Sequence, residues 1–199
     1  MLEVRNVSIR RDDASLRYHF SLEAGKVMGV QGVSGVGKST LLHLIAGFAA
    51  PDAGDIIWQK KSLLSVPVEK RPISFLFQDH NLFEHLTVIE NLQLGFGKDV
   101  PRSEIRLACE ELGVEDQLAK FPGQLSGGQR QRVAIIRTLL RTEPIVLLDE
   151  PFAELDAQTR EVAASWSRGQ ITRSGKTVLL VTHQNEDIQQ VTDVCLTLN

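Results

Sequence analysis

The sequence predicts an α/β fold with a largely parallel sheet, interrupted by a helical insertion. Three observations predict it. Short apolar runs alternate with helical patterns near both ends of the chain. One such run, Val27–Val30, leads straight into the glycine-rich segment GVSGVGKST. From Thr87 to Leu140 the strand-like runs give way to helical ones.

Val4–Ile9 and Leu16–Leu22 read as strands, the second because Leu16, Tyr18, Phe20 and Leu22 alternate with polar residues. Val27–Val30 is a short apolar strand, and Leu41–Phe48, rich in leucine and alanine, is expected as the next helix. PDAGDI is turn chemistry, with short strands expected over Asp55–Trp58 and Ile73–Phe77. Pro101, Gly113 and Pro122–Gly123 break up the helical block. Ile145–Leu148, Val178–Val181 and Val194–Leu198 then read as strands, separated by helices over Gln158–Ile171 and Glu186–Val191. The 199 residues fit a single domain, with a core over 1–85 and 141–199 and a helical subdomain over 86–140.

A net charge of −3 with no basic block argues against a dedicated nucleic-acid binder. Cys109 and Cys195 form no CxxC and no metal spacing, so both are expected to be reduced thiols packed in the interior. The start MLEVRNVSIRR lacks the apolar stretch of a signal peptide. No apolar run approaches the roughly 18–20 residues that span a bilayer, so any link to a membrane is expected through a partner.

Gly32, Val33, Ser34, Gly35, Val36, Gly37, Lys38, Ser39 and Thr40 match G-x-x-x-x-G-K-[ST] after a strand and before a helix. Backbone amides in such a loop wrap a phosphate, and the dipole of the following helix favours the anion. Lys38 can reach the β- and γ-phosphates of a nucleotide, and the Ser39 hydroxyl can ligate Mg²⁺. IVLLDEP is an apolar run ending in two carboxylates, which a parallel sheet delivers to its ligand-binding edge. Asp149 is the candidate for holding the metal ion and Glu150 for orienting or deprotonating an attacking water. Gln78, after ISFLF, and His183, after TVLLVT, are expected at the same edge.

LSGGQRQRV poses a separate problem. Ser126 with Gln129 three residues on is a capping box, but a plain cap has no need of Gly127 and Gly128. Two glycines in a first turn cost about 0.5–1 kcal/mol each against alanine. Arg130 and Arg132 stand at the helix's positive end and make the neighbourhood attractive to anions. The stretch reads as half of a second anion site, one that lacks its own lysine.

GVSGVGKST, Gln78, LSGGQ, IVLLDEP, Leu155–Asp156 and Thr182–His183, in that order, resemble the ATP-binding subunits of ABC transporters over nearly the whole chain. The resemblance implies a P-loop NTPase core with a mostly parallel sheet, an antiparallel β subdomain and an inserted helical subdomain. It further implies two head-to-tail protomers with ATP and Mg²⁺ between them. Lys38, Ser39, Gln78, Asp149, Glu150 and His183 would serve the chain's own nucleotide, with Ser39, Gln78 and Asp149 around the metal. Ser126, Gly127, Gly128 and Gln129 would close on the partner's γ-phosphate, and Asp156 would lie at the subunit boundary. Gln78–Glu90 would sit near the groove that receives an integral membrane permease, at the cytoplasmic face of a bacterial cell membrane. A periplasmic or extracellular substrate-binding protein would take part indirectly.

The wording of LLHLIAGFAAPDAG and RPISFLFQDHNLFEHLTVIENLQLG resembles importer ATPases, most of all those that energise thiamine uptake. Iron(III), sulfate and polyamine importers share much of it. Relatives that act on DNA or in translation carry a long coiled coil or two ATPase domains, which 199 residues do not accommodate. Two departures stand out. IRRDDAS lacks the aromatic that stacks on adenine in the family, which leaves either a cation–π contact from Arg10 or Arg11 or a loosely held adenine. Ala153–Glu154 stands where Ser-Ala is usual.

Overall fold

The structure, a computed structural model, describes residues 1–11, 14–79 and 82–198. The chain opens with β1 (Leu2–Arg11), β2 (Ala14–Leu22) and β3 (Val27–Gln31). Then come α1 (Lys38–Ala46), β4 (Ala53–Trp58), β5 (Lys61–Ser62) and β6 (Ile73–Leu76). Three helices follow: α2 (Val88–Gln93), α3 (Arg102–Glu111) and α4 (Gly127–Leu140). The last stretch holds β7 (Ile145–Asp149), α5 (Ala157–Ser174), β8 (Thr177–Val181), α6 (Asn185–Val191) and β9 (Val194–Thr197).

These strands form an antiparallel sheet in the order β2-β1-β4-β5 and a parallel sheet in the order β6-β7-β8-β3-β9. Every residue of β7 and β8 is buried, which is why IVLL and VLLV are continuous apolar runs rather than alternating ones. Alternate side chains nevertheless part company. Val146, Leu148, Val178 and Leu180, with Val27 and Leu76, join a core built with α2, α3, α4 and α5. Ile145, Leu147, Leu179 and Val181, with Met28 and Val30, pack instead on α1 and the antiparallel sheet. Each fully buried aliphatic side chain contributes about 1.5–3 kcal/mol. The parallel sheet is thereby clamped on both faces, and its carboxyl edge is rigidly held.

Some boundaries differ from expectation. The first helix starts at Lys38 rather than Leu41, because Gly37 turns the loop directly into it. It stops at Ala46, where Gly47 adopts a left-handed φ of 92° and leaves Phe48 outside the helix. The buried Arg71 guanidinium donates to the Leu44 and Ile45 carbonyls at 3.1 and 2.6 Å, so a cation closes the helix's negative end. In the helical block a capping box joins Thr87 and Glu90 at the start of α2. Pro101 immediately precedes α3, and Gly113, at φ 62°, follows its end.

The cysteines also differ from one another. Cys109 is fully buried on α3, and burial pushes its thiol up to about 12. Cys195 is exposed on β9, correcting the expectation that both pack inside: β9 lies at the edge of the parallel sheet and leaves this side chain to solvent. A thiol reagent near pH 8 is expected to modify Cys195 in the folded protein and Cys109 only after denaturation. Equal labelling of both in the native protein would contradict this packing.

Candidate functional site

The carboxyl ends of β3, β6, β7 and β8 lie along one edge of the parallel sheet, and the segments that follow them line a cleft. After β3 the chain enters the glycine loop, where the Val36 amide donates to the Val33 carbonyl at 3.3 Å. Lys38 Nζ folds back and donates to the Gly32 and Val33 carbonyls at 2.8 and 3.0 Å. The lysine therefore holds the loop in shape, with a cation facing where phosphate would enter.

Tyr18 supports the loop from below. Buried on β2, it donates its hydroxyl to the Gly37 carbonyl at 2.9 Å. Gly37 has φ 103°, and a Cβ there would meet Tyr18 Oη at 2.5 Å, so glycine is required on both counts. Tyr18→Phe leaves that carbonyl without this donor and is expected to cost about 0.5–1.5 kcal/mol of stability. Thermal unfolding checks the loss, and ATP titration should show weaker binding as the loop slackens.

Asp149 ends β7 with its side chain buried. Burial raises its pKa, opposed in turn by a hydrogen bond from the Ser39 hydroxyl and by the His43, Lys38 and His183 side chains. Glu150 follows in the left-handed region at φ 49°. Such a conformation in a non-glycine residue costs on the order of 1–3 kcal/mol and is sustained by its surroundings. Here the Glu150 amide donates to the Val181 carbonyl at 3.0 Å, and the carboxylate is turned into the cleft. Burial raises its pKa first, while the His183 side chain and backbone amide pull it down. His183 Nε2 lies 3.3 Å from Glu150 Oε1, yet that oxygen has no hydrogen bond: the pair is close without being aligned.

Ser34, Gly35, Gly37, Lys38, Ser39, Thr40, Gln78, Asp149, Glu150 and His183 all line this cleft, whereas Gly32, Val33 and Val36 do not. Val33 is exposed. Ser126, Gly127, Gly128, Gln129 and Asp156 also lie outside the cleft. The Ser126 hydroxyl accepts from the Gln129 amide at 3.3 Å, and Gln129 Oε1 accepts from the Ser126 amide at 2.9 Å, completing the capping box. Asp156 caps α5, accepting from the Thr159 amide at 3.0 Å and the Thr159 hydroxyl at 2.7 Å.

The arginines of this stretch are also bound within the chain. Arg130 donates to the Leu125 carbonyl at 3.0 Å, and Arg132 to those of Gly128 at 3.2 Å and Leu112 at 2.9 Å. They fasten α4 to its approach loop and to the end of α3. Arg10 is exposed, its backbone amide bound to Asp52. The side chain of Arg11 lies outside the described residues, as do His80 and Asn81 of the segment after Gln78.

Sequence reasoning missed Arg160 and Asp187, which also line the cleft. Arg160 reaches back from α5 to the Phe152 carbonyl, and the buried Asp187 accepts from the Thr182 hydroxyl at 2.8 Å. It missed Gln131 too, a buried amide on α4 that donates to the Pro151 carbonyl, one residue beyond Glu150. The available signal was a polar residue three and four positions before the buried Ala134 and Ile135.

A cationic loop, a buried carboxylate paired with a hydroxyl, and a second carboxylate beside a histidine together suit a polyphosphate and a hard cation. Ser39 and Asp149 supply oxygen ligands of the type Mg²⁺ takes while keeping several waters. Among the described residues, no helix is long and apolar enough to cross a membrane.

Comparison with known proteins agrees with this geometry. The family model described as ABC transporter matches residues 16–153. The thiamine import ATP-binding protein ThiQ of Aliivibrio fischeri is 43% identical over 94% of this chain and 82% of its own. ThiQ of Escherichia coli K12 is 37% identical over 96% and 84%, and that of Jannaschia sp. 40% over 100% and 89%. Among solved structures, the ATP-binding cassette MJ0796, in a dimeric post-hydrolysis state bound to ADP and Pi, aligns with a TM-score of 0.87 and 27% identity. That alignment covers 100% of this chain and 94% of MJ0796. With a phosphate loop, paired carboxylates and a histidine on one sheet edge, and this likeness along its length, the chain belongs to the ABC transporter family of ATPases.

Proposed function

We propose that this chain is the motor subunit of a thiamine importer, working with Mg²⁺ as a head-to-tail pair at the cytoplasmic face of a bacterial membrane. The observation that carries the catalytic part is Glu150, held in a left-handed turn beside Asp149 and His183. In this reading Lys38 and the loop amides bind the phosphates, and Ser39, Asp149 and Gln78 hold the metal ion. The metal ion supplies charge neutralisation for the phosphates. Glu150 takes the proton of the attacking water, and burial, by raising its pKa, makes the carboxylate a stronger base. His183 orients that carboxylate.

Ser126, Gly127, Gly128 and Gln129 then serve the nucleotide held by the second protomer, with Asp156 at the boundary. Their position outside the chain's own cleft supports this reading. A permease fits the aromatic surface around Gln78: Phe75 and Phe77 stack with ring centroids 4.0 Å apart, the exposed Phe48 ring lies 5.4 Å from that of Phe77, and the exposed Phe83 follows Gln78 in sequence. The substrate follows from the thiamine-import relatives, and a substrate-binding protein would act through the permease. The core over 1–85 and 141–199 and the helical subdomain over 86–140 would move as the two arms of this motor.

Reconstitution with the co-purifying permease tests the substrate: ATP-dependent uptake of thiamine is expected, and not of iron(III) or polyamine. A mixed dimer with Ser126→Ala in one protomer and Lys38→Ala in the other tests the shared sites. One intact composite site is expected, and two fully active sites would refute the arrangement.

A further inference from the structure

The amino end of α4 already has a neighbour in its own chain. Gly127 is the first residue of that helix, and a Cβ on it would collide with Glu154 Oε2. The same Cβ would come to 4.0 Å from Arg130 Nη2. A Cβ on Gly128 would lie 3.3 Å from the Glu154 carbonyl and 3.4 Å from Leu155 Cδ2. Gly128 thus admits the backbone of the turn after β7, and Gly127 leaves room for the Glu154 carboxylate, before any second chain arrives. Glu154 is exposed, so burial does not hold its carboxylate there. Electrostatics favours it: the first-turn amides of a helix lack intrahelical acceptors, and its positive end attracts a carboxylate. The first turn of α4 carries no acidic residue of its own to fill that role.

We propose that Glu154 is an intrachain gate: its carboxylate occupies the amino end of α4 and must withdraw before a partner's ATP can be gripped there. The gate rests on the reading that this helix end serves the partner's nucleotide. Its logic is competition between two anions for one electropositive helix end. While Glu154 lies against Gly127, an arriving γ-phosphate meets a negative charge instead of free amides. Glu154 stands in sequence between Glu150 and the α5 cap Asp156.

The test is ATP-driven dimerisation, followed by sedimentation in a Glu150→Gln background that keeps ATP unhydrolysed. Adding Glu154→Gln is expected to lower the ATP concentration for half-maximal dimerisation about five- to tenfold, the effect of removing one like charge at a partly solvated site. The gain should shrink as salt rises. The nucleotide-free monomer, losing a favourable helix-end charge, is expected to melt at a lower temperature. A merely structural Glu154 would give the lower melting temperature without tighter dimerisation, and that result overturns the gate. Tighter dimerisation with Glu154→Ala but not with Glu154→Gln also overturns it, because the obstruction would then be bulk rather than charge. Failure of the Glu150→Gln protein itself to dimerise at any ATP concentration would overturn the shared-site reading, and the gate with it.

Discussion

Glu150→Gln is expected to bind ATP with near-normal affinity and to hydrolyse it about 10²–10⁴-fold more slowly, the usual loss on removing a general base. The amide keeps the size of the carboxylate and should accept the same left-handed turn, so the cleft stays formed. What it cannot do is take a proton from water. Binding by nucleotide titration and turnover by phosphate release separate the two effects, and near-normal turnover would remove Glu150 from the role. The same variant should be more stable without nucleotide. The folded-state pKa of Glu150 is raised by burial, so its contribution to stability is fully present in acid and is lost as pH rises through that value. At neutral pH the native protein carries this cost, and glutamine abolishes it. The stability difference between variant and parent should therefore grow from acid to neutral pH.

Lys38→Ala is expected to weaken ATP binding about 10- to 100-fold, from a charge-assisted hydrogen bond worth roughly 1.5–3 kcal/mol. Turnover at saturating ATP should fall further, because the lysine's charge acts most strongly on the charge that develops in the transition state. The structure adds a second cost. Lys38 Nζ is the donor for the Gly32 and Val33 carbonyls, so its removal loosens the loop even before nucleotide arrives. Lys38→Arg keeps the charge but not its compact geometry, and should recover only part of the affinity. Normal ATP binding by Lys38→Ala would overturn the reading of the loop.

Much of the fold was legible because its determinants are local. Val178–Val181 and Ile145–Leu148 are compact apolar runs between breakers, and burial on both faces leaves such runs little alternative. Lys61–Ser62 was not legible: the strand exists only through pairing with Trp58 and Ile57, which sequence periodicity does not report. Phe48 reads as helical by its neighbours, but Gly47 in a left-handed turn excludes it. At the site, residue types and spacing pointed to Lys38, Ser39, Asp149 and Glu150, which line the cleft, but not to Arg160 and Asp187, which line it too. They did not reveal the φ of Glu150, since nothing in DEP requires a left-handed turn; the contacts of β7 and β8 impose it. The carbonyls that Arg130 and Arg132 bind, on Leu125, Gly128 and Leu112, were not legible, because loop geometry sets them.

Gln131 carries a consequence for how two such chains would keep step. Its buried amide bonds α4 to the Pro151 carbonyl, adjoining Glu150. In the proposed pair, the tip of α4 feels the ligand in one pocket while its flank grips the turn that aims the carboxylate in the other. The helix is then a crossbeam between two chambers. A push at one end, as phosphate enters or leaves, is delivered as a displacement at the other without passing through solvent. Synchrony between the chambers would need no dedicated messenger, only a beam stiff enough not to bend.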